Sequence, residues 1–130
     1  GVFRGRSPLA RSSGYGLACA EPERMGLGPS PAVQKLMDRH GLTVSDFDVV
    51  ESNEAFAAQA CAVSQELGVG QTQVNPNGGA IALGHPVGAS GTIITVKLLH
   101  ELKRVGGKKG LATMCIGGGQ GIALAVETMQ

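Results

Sequence analysis

Three short segments place a side chain capable of chemistry beside glycine-rich turns: Asn53-Glu54-Ala55-Phe56, Gly84-His85-Pro86 and Cys115-Ile116-Gly117-Gly118-Gly119. Cys115 follows an apolar run and precedes three glycines, so a substrate could approach the thiol closely. The backbone N–H groups of such a turn could also hold an oxyanion. The plainer alternative is a buried small hydrophobe. His85, between two glycine-rich turns, has the chemistry of an acid, a base or a hydrogen-bond donor near neutral pH. Its alternative is a turn histidine bonded to a backbone carbonyl. On local grounds Asn53 is simplest as a helix N-cap, with an oxyanion- or water-holding role as its rival. Glu54 reads as a carboxylate favoured by the helix dipole.

Positioning these groups takes alternating elements. A strand is expected over Tyr15–Ala20, preceded by a basic Ser/Gly-rich arm or cut edge over residues 1–13. Ser30 as N-cap and Pro31 at the first helical position start a helix, and Gly41 ends it. Asp46–Ser52 reads as a strand. Asn53 then caps a helix with an apolar stripe of Phe56, Ala60, Val63 and Leu67. Gln73–Asn75 is a possible short strand. Another helix begins between Val87 and Ser90, buries Ile94, Leu98 and Leu102, and exposes Lys97 and Glu101 as an i,i+4 pair. Two strands, Leu111–Ile116 and Gly121–Glu127, close the chain as a hairpin. The expected fold is α/β, with layered helices on a mixed sheet ending in a β-hairpin, in one domain over residues 14–130.

Composition narrows the function classes. Glycine, at 21 of 130 residues, is more than twice its usual share of about 7%. The chain is nevertheless 42% hydrophobic, so the glycines read as sharp turns and close backbone approaches rather than disorder. A net charge of +1 gives no electrostatic case for nucleic acid or a membrane surface, and no apolar run nears the roughly 18 residues of a span. Cys19, Cys61 and Cys115 form no C-x-x-C pair, which argues against a disulfide scaffold and for a reducing compartment, cytoplasmic or an organelle matrix. With His40, His85 and His100 scattered, zinc spacing is absent. Cys19 is expected in strand core and Cys61 on the core face of a helix. Gly78–Gly91 lacks the Gly-Lys-Ser/Thr of a P-loop, and Gly117–Gly121 leads into a strand, where a dinucleotide loop needs a helix. The N-terminus lacks an initiator Met and a signal-peptide core, so an excerpt of a longer chain, or a processed one, is expected.

Together the segments NEAFAAQ at 53–59, NPNGGAIALGHPVGASG at 75–91 and CIGGGQG at 115–121 resemble the three C-terminal signature blocks of the thiolase family. GYGLACAEPERMGLGPSPA at 14–32 is also thiolase-like, and the likeness runs from about Pro8 to Glu127, leaving residues 1–7 unmatched. The resemblance implies a C-terminal catalytic half acting on coenzyme A thioesters, with no bound cofactor or metal. Cys115 would be the acid/base cysteine at the α-carbon. His85 would activate a nucleophilic cysteine and help bind the thioester oxygen, and Asn53 would hold a water completing that oxyanion site. The Gly117 N–H would serve a second oxyanion site, and Phe56 would line the acyl pocket. The nucleophilic cysteine of the family belongs to an N-terminal half absent here, and neither Cys19 nor Cys61 matches its motif. The resemblance further implies that half as a partner, and a homodimer or homotetramer. Three rivals stand beside it: a ketoacyl synthase, disfavoured by the cysteine before the glycines; a cysteine hydrolase using Cys115, His85 and Asn53; and a truncated, non-catalytic CoA-binding or assembly module.

Overall fold

The computed structural model describes Gly5 and residues 7–129. The first strand, β1 (Ala10–Cys19), starts earlier than expected: its leading residues pair with the far end of the last strand, Ala10 opposite Thr128, and Arg11 forms an ion pair with Glu127. Residues 10–13 therefore belong to the sheet, whereas residues 1–4 and 6 of the expected arm lie outside the described residues.

Helix α1 (Pro29–His40) has Pro29, not Pro31, at its first position and Gly28, not Ser30, at its N-cap. The shift follows from packing. A Cβ at Gly28 would lie 2.5 Å from the Gln120 carbonyl oxygen, so the chain turns into the helix where only glycine fits against the sheet. Gly41, at φ 62°, ends it as expected. A short 3-10 turn (Val44–Asp46) takes the start of the expected strand, leaving β2 (Val49–Ser52) fully buried. Helix α2 (Ala57–Leu67) follows, then a single helical turn, α3 (Ala80–Leu83), that the glycine content concealed. Helix α4 (Ser90–Val105), β3 (Lys109–Ile116) and β4 (Gln120–Thr128) close the chain.

The sheet order is β1-β4-β3-β2, with β2 and β3 parallel and the other pairs antiparallel. The expected short strand at 73–75 is one parallel bridge, Val74 against Val50. Strand alternation divides two cores. Val50, Leu111, Ala123 and Ala125 meet Val33, Leu36 and Met37 of α1 on one face. Val49, Ala112 and Val126 meet Ile94, Leu98 and Leu102 of α4 on the other. Cys19 and Cys61 are exposed rather than in the core. Tyr15 and Leu17 of β1, and Ile93 and Val96 of α4, are exposed large apolar side chains. Among the described residues no helix is long and apolar enough to cross a membrane.

Candidate active site

The site forms at the carboxyl ends of the parallel strands β2 and β3. The Asn53 N–H donates to the Thr113 carbonyl at 2.9 Å, extending the β2–β3 ladder one residue beyond the strand. That extended backbone displaces Asn53 from the N-cap expected of it, because α2 starts later, with Phe56 in the cap position and no side-chain cap. Asn53 is 2% exposed, and its side-chain amide is free to reach His85.

His85 sits between α3 and α4, with Asn53 Nδ2 3.5 Å from its Nε2 and Ser90 Oγ 2.6 Å from its Nδ1. The hydrogen-bond partners allow one tautomer to be assigned. Ser90 has one hydroxyl hydrogen, and its Oγ donates to the Pro86 carbonyl at 3.1 Å. With that hydrogen assigned to Pro86, Oγ accepts from His85 Nδ1–H at 2.6 Å. Nε2 is left with a lone pair facing the Asn53 amide, so neutral His85 presents a base at Nε2. Ser90, 3% exposed at the first position of α4, was not singled out by sequence reading. Its signal was available: a small polar residue five positions after the histidine, where a helix begins.

Cys115 closes β3 and is 8% exposed. Burial pushes its thiol above the ordinary value of 9.0. Gly118 and Gly119 take φ of 77° and 86°, the left-handed backbone that tightens the hairpin after the cysteine. An open cleft of about 410 Å³ joins His85, Cys115, Gly117 and Phe56, with Met25, Val87 and Met114 among its other walls. Phe56, 63% exposed, leaves the α2 stripe in which it was expected and lines this cleft instead. Of the five candidate residues, four share the cleft, and Asn53 reaches it through His85. Cys19 and Cys61 do not line it.

Side chains fasten the loop that carries His85. Asn75, at φ 46°, accepts from Ser52 N–H at 2.9 Å and donates to Ser52 O at 2.8 Å. Glu54 is no cap for α2. Its carboxylate accepts from Ile81 N–H at 3.0 Å and so caps α3, in space that a Cβ on Gly79 would fill. Asn77 donates to Glu101 at 2.8 Å. The expected exposed Lys97–Glu101 pair does not form. Lys97 turns inward to Glu51 at 2.8 Å, and Glu101, 3% exposed, pairs with Arg104. No group of three or more metal-ligating side chains occurs among the described residues.

The mixed sheet thus carries a buried thiol near the end of β3, and the loop between α3 and α4 brings a histidine to the same cleft. Residues 6–128 match the family model of the thiolase C-terminal domain, and the chain belongs to that family. It is 60% identical over 124 residues to a beta-ketothiolase of Cupriavidus necator, covering 95% of this chain and 32% of that protein. It is 62% identical over 123 residues to an acetyl-CoA acetyltransferase of Chromobacterium violaceum, covering 95% and 31%. The fold superposes on human mitochondrial 3-ketoacyl-CoA thiolase in complex with CoA at a TM-score of 0.93 and 49% identity, covering 95% of this chain and 32% of that one. The chain thus spans about a third of the length of the relatives it matches.

Proposed function

We propose that this chain is the proton-transfer part of a thiolase, which joins two acyl-CoA units or splits a 3-ketoacyl-CoA. The observation that carries the reading is the single cleft shared by Cys115, His85, Gly117 and Phe56. A ping-pong route needs a second thiol to carry the acyl group, and Cys19 and Cys61 lie outside the cleft. In this reading the nucleophile is supplied from outside these 130 residues, consistent with the chain spanning about a third of its relatives.

In condensation the outside thiol gives its proton to His85 Nε2 and attacks the first acyl-CoA. Cys115 protonates the departing CoA thiolate. The Cys115 thiolate then removes an α-proton from the second acyl-CoA, and the α-carbon attacks the acyl-enzyme. The thioester C–S bond breaks, 3-ketoacyl-CoA is released, and the outside thiolate takes its proton back from His85. A thiol whose pKa is raised by burial yields a stronger base once ionised, which suits it to a weakly acidic C–H. Protonated His85, with Asn53 and the water it would hold, stabilises the enolate oxygen, and the Gly117 N–H serves the acyl-enzyme.

The cysteine hydrolase fits less well. His85 engages Asn53 and Ser90, no hydrogen bond joins it to Cys115, and the raised thiol value is opposite to that of an activated nucleophile. The test is to combine the chain with the complementary N-terminal part of a relative and assay acetoacetyl-CoA thiolysis. Activity that requires both parts and is lost in Cys115→Ala supports the proposal. Thiolysis by residues 1–130 alone, or retained in Cys115→Ala, overturns it, and an inert mixture supports a non-catalytic module.

A further inference from the structure

Beneath the Asn53–His85–Ser90 layer lies a second polar layer of a different kind. Glu51 is fully buried, with a side-chain exposure of 0%, and Lys97 is 18% exposed. Lys97 Nζ donates to Glu51 Oε2 at 2.8 Å and also to the Gly78 carbonyl, while Glu51 Oε1 is buried with no protein partner. Desolvation raises the Glu51 pKa, and Lys97 opposes it. Replacing such a pair with apolar side chains often costs no stability, so overall stability does not explain its presence.

Its placement does. Residues 51 and 53 share one side of the extended chain, roughly 6.6 Å apart along it. Residues 90 and 97 share one side of α4, two turns and roughly 10 Å apart. The upper pair, Asn53 and Ser90, holds His85 between them, and the lower pair, Glu51 and Lys97, binds the same strand to the same helix. The third grip, on Gly78 O, holds the start of the loop that ends at His85. All four residues line one cavity of about 10 Å³, no larger than a single water needs. Little slack separates the layers, so a shift in the lower one is passed to the upper.

We propose that Glu51 and Lys97 are positioning residues for His85: their ion pair fixes strand, helix and glycine loop at the spacing that keeps His85 between Asn53 and Ser90. The proposal rests on the thiolase reading only for its consequence in turnover. Its primary readout is the imidazole ¹⁵N spectrum of His85 in the 130-residue chain, which needs no activity. The intact chain is expected to show one signature, protonated at Nδ1 and unprotonated at Nε2. In Lys97→Met, which keeps the apolar stem and removes the charge, that signature becomes a mixture of tautomers, while Cys115 labelling by iodoacetamide stays unchanged. In the reconstituted enzyme the same variant lowers kcat roughly tenfold to a hundredfold with little change in KM. An inactive reconstituted wild type would count against the thiolase reading and leave the spectral test standing. A folded Lys97→Met chain with the intact His85 signature overturns the proposal. If that variant does not fold, Glu51→Gln, equal in volume, decides by the same spectrum. Failure of both to fold makes the pair a structural element and overturns the positioning role.

Discussion

The two glycine-rich segments of this molecule each carry one reactive side chain, and they are held by opposite means. The hairpin 115–121 is fixed by backbone. Cys115 pairs with Gly121 in the ladder, Gly119 O accepts from Ala20 N–H at 2.6 Å, and Gly121 lies where a Cβ would be 1.9 Å from Gly28 O. The stretch 75–91 follows a lone bridge at Val74, has no ladder of its own, and is fixed by side chains: Asn75, Asn77, Glu54, Lys97 and Ser90. A ladder locates a group by the sheet itself, so few side-chain changes should move Cys115. A loop held by polar side chains can be adjusted one contact at a time, and it can also fail one contact at a time.

The largest expected effects fall on the two reactive groups. Cys115→Ala and His85→Ala should each lower kcat in the reconstituted enzyme by roughly 10²–10⁴-fold while leaving the melting temperature near that of the parent. A loss under tenfold in either would break the assignment. Next, Gly121→Ala forces a Cβ into the Gly28 backbone, and overpacking of this kind costs about 3 kcal/mol. Urea unfolding should show it, with faster labelling of Cys115. If the hairpin tolerates alanine there, the backbone account of its rigidity is wrong.

Acid should act on the side-chain anchors. Hydrogen bonds from Arg104 and Asn77 hold Glu101 down to about 2, from an ordinary 4.5. Its folded-state value is depressed, so the stability it contributes is present above 4.5 and is lost as the pH falls toward 2. Asn77→Ala should blunt that acid-side loss, measured by melting temperature against pH. For Cys115 the sign is reversed at the other end. Its folded value is raised, so the folded chain favours the thiol, and stability falls as the pH rises above 9.0. At neutral pH iodoacetamide should therefore label exposed Cys19 and Cys61 well before Cys115. The smallest effect is expected of Ser90→Ala, which removes the acceptor of His85 Nδ1–H. A cost of about 1 kcal/mol and a mixed His85 tautomer spectrum should accompany it, with Cys115 labelling unmoved.

The elements of the fold were legible where periodicity and glycine agreed. Ile94, Leu98 and Leu102 fall on the buried face of α4, and Gly41 and Gly106 end their helices in left-handed backbone. The polar residues that fasten the loop were not legible, for one physical reason. Lys97 and Glu101 at i,i+4 have the spacing of a solvated pair, and only the neighbouring strand reveals that Glu51 draws Lys97 inward. Asn53 likewise has the chemistry of an N-cap, and the extra β2–β3 hydrogen bond that makes it extended is a tertiary fact. Cys19 and Cys61 were expected in the interior because lone cysteines usually bury, whereas both lie on surface of this chain. The three segments singled out for chemistry nevertheless meet, because each ends a regular element on the same side of the sheet.

The Asn75 side chain has a consequence for how this sheet can grow. By accepting from Ser52 N–H and donating to Ser52 O, its carboxamide imitates one peptide unit of a neighbouring strand. Val50, two residues earlier, is satisfied in both directions by the Gln73 carbonyl and the Asn75 N–H. The outer border of β2 is thereby sealed along its length by a loop and an amide, leaving no free register for an added strand. An intruding chain would meet a border that already reads as occupied.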